Sequence, residues 1–187
     1  MSALVDRAIE AAGLADVRAA RRAGRCGGAD VARLRTADLL ALGALADRVR
    51  RDEVGDEVLI HAPPPAVSSG AIVLPDPERE LTGLDLLREV AIARLTGPPA
   101  ARVRVDWTRC GLELAQVALG FGANELAGHI ASKGGLPLAQ GALLGVGKKS
   151  QLRPADVVKR EELAGLVRRA GRTPVFARVE ALAEAAP

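Results

Sequence analysis

Residues 101–128 constrain this chain more than any other stretch. Arg102, Arg104 and Asp106 alternate with Val103, Val105 and Trp107, a period of two that predicts a strand. Gly111 then opens a helix whose apolar positions are Leu112, Ala115, Val117, Ala118 and Leu119, and Gly120 and Gly122 close it. Ala123-Asn124-Glu125-Leu126 begins a second extended piece. Strand, helix and strand within about thirty residues make a βαβ unit, and that unit brings a parallel sheet with it.

The remaining elements suit one α/β domain over 1–187. Residues 1–35 read as a helical N-terminal extension, with one helix carrying Leu4, Val5, Ile9 and Ala12 and a second over 15–23. Residues 36–62 read as a helix followed by the first strand. Thr36 is the expected N-cap, Leu39, Leu42, Leu45 and Val49 form the buried stripe, and Arg48, Arg50 and Arg51 stand where a helix dipole favours cations. Residues 63–70 are a Pro/Ser/Gly connector, and 71–187 hold the later βα units. In that part Thr82 and Asp85 form a capping-box pair, opening a helix expected to bury Leu84, Leu87, Ala91 and Leu95. Pro154 reads as the start of the last long helix, with Val158, Leu163 and Val167 inward, followed by an extended 173–179. Residues 129–153 have no readable period.

Composition excludes several classes. Net charge is +3, but the arginines are scattered, there is no Tyr, and two Phe and one Trp complete the aromatics. A nucleic-acid surface needs a basic face with stacking rings, so no nucleic-acid partner is expected. No run reaches the roughly 20 apolar residues of a membrane span, and the acidic, amphipathic start MSALVDRAIEAAG does not read as a signal peptide; a cytoplasmic protein is expected. Cys26 and Cys110 lie far apart and show no metal-ligand spacing. Neither a metal nor a cofactor is expected.

Several residues are candidates for ligand binding. If the 101–107 strand lies in a barrel, Val103, Val105 and Trp107 face helices and Arg102, Arg104 and Asp106 face the lumen; an edge strand with one solvated face has the same pattern. Asn124, Glu125 and His129 bring an amide, a carboxylate and an imidazole within six positions, enough to orient a polar ligand. Asn124 could equally hold a left-handed turn. His61 ends a strand without metal-ligating neighbours in sequence and reads as a loop histidine. Lys148 and Lys149, in GALLGVGKKS (141–150), could hold an anion with nearby backbone amides. The P-loop pattern itself fails there, because Ala142 stands at the first Gly and Lys149 at the hydroxyl position. No catalytic residue can be assigned from spacing.

The runs ADLLALGALADRVRRDEVGDEVLI (37–60), LLREVAIARL (86–95), LAQVAL (114–119), FGANELAG (121–128) and AGRTPV (170–175), with Trp107 and Gly111, resemble a radical-SAM subfamily. It includes aminofutalosine synthase, the futalosine cyclase of menaquinone biosynthesis and the deazaflavin cofactor synthase. The resemblance implies a (β/α) barrel holding an iron–sulfur cluster through C-x-x-x-C-x-x-C. Here the chain passes from the first barrel strand through HAPPPAVSSG (61–70) to a late one, so the segment that would hold the cluster is missing between them. The resemblance therefore implies a partial barrel and a cluster-less relative, non-catalytic or accessory. The partners it implies are a small molecule or an enzyme of menaquinone biosynthesis. An enzyme with cluster-independent chemistry around Asp106, Asn124, Glu125 and His129 is the alternative. Unprotected edges of a partial barrel further imply a homodimer.

Overall fold

A parallel sheet is the frame. The computed structural model describes residues 3–24, 26, 28–62, 70–76, 81–131 and 157–177. Helices α1 (Ala3–Ala11), α2 (Val17–Arg22), α3 (Gly28–Thr36) and α4 (Leu39–Val54) lead into strand β1 (Glu57–His61). Strand β2 (Ile72–Leu74), helix α5 (Gly83–Thr96) and strand β3 (Val103–Asp106) follow. The short helix α6 (Trp107–Cys110), helix α7 (Leu112–Ala118) and a 3-10 turn over Leu119–Phe121 lead to strand β4 (Glu125–Ala127). After it come β5 (His129–Ala131), β6 (Val157–Lys159), α8 (Arg160–Arg169) and β7 (Thr173–Phe176). Five strands form one sheet in the order β2-β3-β4-β1-β7, and every pairing in it is parallel. Strands β5 and β6 pair separately, also in parallel.

The two sheet faces differ in chemistry because side chains alternate. Val58, Ile60, Val103, Val105 and Leu126 are all buried on one face. Ile72 belongs to the same row, opposite Val103 in register, and its Cδ1 lies beside Gly97 at the end of α5. This is the helix-bearing face. It is built from aliphatic side chains with only Trp107 and Phe121 as fully packed aromatics, consistent with hydrophobic burial at about 25 cal/mol per Å² as the main stabilising term.

The N-terminal helices are part of this core. Leu14, Val17 and Leu34 are fully buried. Arg21 reaches across to the carbonyls of Leu95, Gly97 and Pro98 at the end of α5 and pairs with Glu53 at 2.8 Å.

Some local expectations are corrected. Asp38, not Thr36, caps α4, its carboxylate accepting from the Ala41 amide at 2.9 Å. Thr82 does cap α5, accepting from the Asp85 amide at 3.2 Å. Leu84, however, is 67% exposed; Leu87, Ala91 and Leu95 are buried as expected, and Leu86, Val90 and Ile92 join them. Trp107 is not the last residue of a strand: Asp106 accepts from the Thr108 amide and turns the chain into α6. Val158 lies in β6 rather than in the last helix, which begins at Arg160. Helix α3 had no counterpart in the sequence reading. Arg50 is not a solvated dipole partner. It is fully buried, bonded to Asp47 at 2.9 Å and Asp56 at 3.1 Å and to the Gly55 carbonyl. The connector 63–69, Pro154 and the 141–150 loop with Lys148 and Lys149 lie outside the described residues.

Candidate functional site

The turn after the 3-10 segment sets the site. Gly122 has φ +100°, a conformation that L side chains rarely adopt, and an added Cβ would lie 2.9 Å from Arg94 Cβ. Its carbonyl accepts from Arg94 Nε at 2.9 Å. Arg94 also donates to the Ala101 carbonyl at 2.8 Å and to Asn124 Oδ1 at 2.7 Å, and Asn124 Oδ1 accepts again from the Val103 amide at 2.8 Å. Burial lowers the Arg94 pKa to about 10, with the Glu53 carboxylate working the other way. Asn124 is therefore an anchor between α5 and β3, with its side-chain oxygen committed to two donors. The left-handed residue of the turn is Gly122, two positions earlier.

With the turn fixed, β4 enters between β3 and β1, and Glu125 falls in register with Arg104 on one side and Leu59 on the other. All three lie on the face away from Val103, Val105 and Leu126. Glu125 is fully buried and Arg104 only 3% exposed. Arg104 Nε donates to Glu125 Oε1. His61 Nε2 lies 2.9 Å from the same oxygen but off the hydrogen-bonding direction. Arg102 Nη1 is 3.7 Å from Glu125 Oε2. Three buried polar atoms here have no hydrogen-bond partner: Glu125 Oε2, Arg104 Nη2 and His61 Nε2. Burial lowers the His61 pKa from its ordinary 6.5, as do Arg104 and Arg102, against the opposite pull of Glu125.

A cleft of about 290 Å³ adjoins this cluster, lined by Val54, Glu57, Leu59, Ala100, Arg102, Asn124 and Val175. It lies toward the amino-terminal ends of the strands, since Glu57 begins β1 and Ala100 and Arg102 precede β3. Barrel enzymes work at the opposite end.

The structure thus brings together some of the candidates read from sequence. Arg104 and Glu125 meet directly. Asp106 shares their sheet face but spends its carboxylate capping α6, with Thr108 Oγ1 donating at 2.6 Å. Asn124 is committed to Arg94 and Val103, and His129 belongs to the separate β5-β6 pair. His61, read as a loop histidine, joins the cluster instead. Sequence could have suggested it only through the parallel pairing of β1 with β4, which no local pattern encodes.

The cysteines do not fit an iron–sulfur cluster. Cys26 follows α2 and its thiol donates to the Val17 carbonyl at 3.7 Å. Cys110 sits in α6, donates to the Asp106 carbonyl at 3.3 Å, and burial pushes its thiol up to about 11, with Asp106 adding to the shift. A cluster needs several converging thiolates, and these two thiols bond to separate carbonyls, of Val17 and of Asp106. Among the described residues no three His, Cys, Asp or Glu side chains form a metal-binding group.

The fold and site define a mixed α/β protein with a five-stranded parallel sheet and a buried ionic cluster on one face. No family model matches the chain. Over 94 residues, half of the chain, it is 32% identical to the 5-amino-6-(D-ribitylamino)uracil--L-tyrosine 4-hydroxyphenyl transferase of Archaeoglobus fulgidus. The match spans only 24% of that protein. No helix among the described residues is long and apolar enough to cross a membrane.

Proposed function

We propose that this chain is a cluster-less, non-catalytic relative of the radical-SAM enzymes of the futalosine and deazaflavin pathways, and that it binds a small polar intermediate of such a pathway on the face of Glu125. The partial identity to the Archaeoglobus transferase supports the ancestry. The observation that carries the binding role is the cluster itself. Buried polar groups are normally satisfied, and Glu125 Oε2 and Arg104 Nη2 are not.

Burial of both Arg104 and Glu125, on strands inside the sheet, weighs against an open solvated edge. The quartet of Asp106, Asn124, Glu125 and His129 does not converge on one point, which weighs against new chemistry there. Anaerobic reconstitution with iron and sulfide, followed by absorbance and metal analysis, tests the cluster-less reading. We expect no stoichiometric cluster and no cleavage of S-adenosylmethionine; either one overturns it.

The same reading includes self-association. The outer strands of the sheet are β2 and β7. β1 is interior because β4 and β7 cover both its sides. The apolar β2 edge is the surface through which two copies would pair.

A further inference from the structure

The cleft of about 290 Å³ at the amino-terminal ends of the strands includes neither Glu125 nor Arg104 in its lining, and that lining is amphipathic. Leu59 and Val175 are register neighbours on β1 and β7, so their side chains stand together on one sheet face, and Val175 remains exposed. Val54 and Ala100 extend this aliphatic wall. An accessible apolar wall beside a few fixed polar groups is the make-up of a small-molecule site.

Two of the polar lining residues offer donors. Arg102 is half exposed, and among the described residues its guanidinium makes no hydrogen bond. The carboxylate oxygen that faces it, Glu125 Oε2, lies 3.7 Å from Nη1, beyond hydrogen-bond reach. A guanidinium carries its N–H groups in a planar fork that matches a carboxylate, and one distant contact leaves most of that fork open. Asn124 is held in one orientation. Its Oδ1 accepts from Arg94 and from the Val103 amide, its own amide donates to the Val103 carbonyl, and its carbonyl accepts from the Leu59 amide. Nδ2 is the donor of Asn124 left without a partner among the described residues.

The remaining polar residue sets a limit on charge. Glu57, at the exposed start of β1, brings a carboxylate to the lining, and Glu125 stands behind the Arg102 guanidinium. One ligand carboxylate satisfies the two donors, whereas a second negative charge meets like charge. A cation leaves both donors unused.

We propose that this cleft binds a short aliphatic monocarboxylate, its carboxylate taken by Arg102 and Asn124 Nδ2 and its hydrocarbon body lying on Val54, Leu59 and Val175. The site goes beyond the proposed binding role of the Glu125 face and does not rest on it. Its volume is at the small end for ligand pockets, which suits a short branched acid.

Methyl nuclear magnetic resonance of the full chain tests this, with the Val175 signals assigned by their loss in Val175→Ala. The probes are isovalerate, its neutral counterpart isovaleramide, acetate and glutarate. We expect a saturable shift of the Val175 methyls with isovalerate. Isovaleramide, which lacks the charge, should bind at least about tenfold more weakly, and so should acetate, which lacks the apolar body. Glutarate should bind more weakly than isovalerate, and Glu57→Gln should narrow that gap. Arg102→Gln, at an exposed position, should stay folded and lose the preference for acid over amide, while Arg102→Lys should keep part of it. Isovaleramide binding as tightly as isovalerate, an acid preference that survives in Arg102→Gln, or no saturable shift in folded wild type would each overturn the proposal.

Discussion

The α-carbon of Gly128 lies flat against the indole of Trp107: a methyl group added there would sit 2.0 Å from Cε2. This close approach lets the chain leave β4 beside α6 and keeps Trp107 only 2% exposed. Gly128→Ala should destabilise the protein by about 2 kcal/mol or more through overpacking. Urea denaturation followed by tryptophan emission reads it directly, since Trp107 is the single tryptophan. The native emission should be blue-shifted and shielded from iodide. A native-like midpoint in the variant would contradict this packing.

Arg94 ties α5 to the turn before the site. Its removal as Arg94→Met leaves the carbonyls of Gly122 and Ala101 without their side-chain donor and takes one of two donors from Asn124. We expect a loss of about 3 kcal/mol, in the range for breaking a buried charged network. A denaturation midpoint within error of wild type would show that the network is dispensable.

His61 makes stability depend on pH. Its folded pKa lies below the ordinary 6.5 because burial, Arg104 and Arg102 outweigh Glu125. On acidification the unfolded chain takes up this proton first. The contribution is therefore fully present above about pH 6.5 and is lost as pH falls through the folded value. Denaturation of wild type and His61→Gln between pH 5 and about 7.5 should give a stability difference that changes below about pH 6.5 and is flat above it. A difference that changed above pH 7 in place of that window would mean that the imidazole is held charged.

The chain should self-associate through the β2 edge. Sedimentation at micromolar concentration should show a species heavier than the 19.4 kDa chain, and Val73→Lys on the edge strand should reduce it. A single species near 19.4 kDa for wild type would mean that the edge is covered within one chain.

Much of this frame was legible in local sequence. The period-two run 102–107, the Thr82 cap and the glycines around the second strand placed β3, α5 and β4 where they occur. Arg104 stood out as a charge where a packed strand face would have aliphatics, and Glu125 as the carboxylate of the Asn124–His129 group. What could not be read was non-local. The partnership of His61 with Glu125 depends on β1 pairing with β4, across more than sixty residues of chain. Leu87, Ala91 and Leu95 are buried as their spacing predicts, but Leu84, in the first turn of α5, is exposed, and Leu86, Val90 and Ile92 widen the buried face. Arg50 misled because dipole position explains a surface cation equally well, whereas here Asp47, Asp56 and the Gly55 carbonyl draw it inward. Helix α3 has little apolar periodicity, and among its described side chains Leu34 is fully buried.

Glu125 is the centre of the proposed binding face. The most direct measurement is calorimetric titration of 5-amino-6-(D-ribitylamino)uracil into the wild-type chain and Glu125→Gln, with each sample's fold confirmed by circular dichroism. We predict saturable binding to wild type, at least about tenfold weaker binding to the variant, and no turnover of the compound in either sample. Equal binding by a folded Glu125→Gln variant, no heat of binding to wild type, or conversion of the compound would each contradict it.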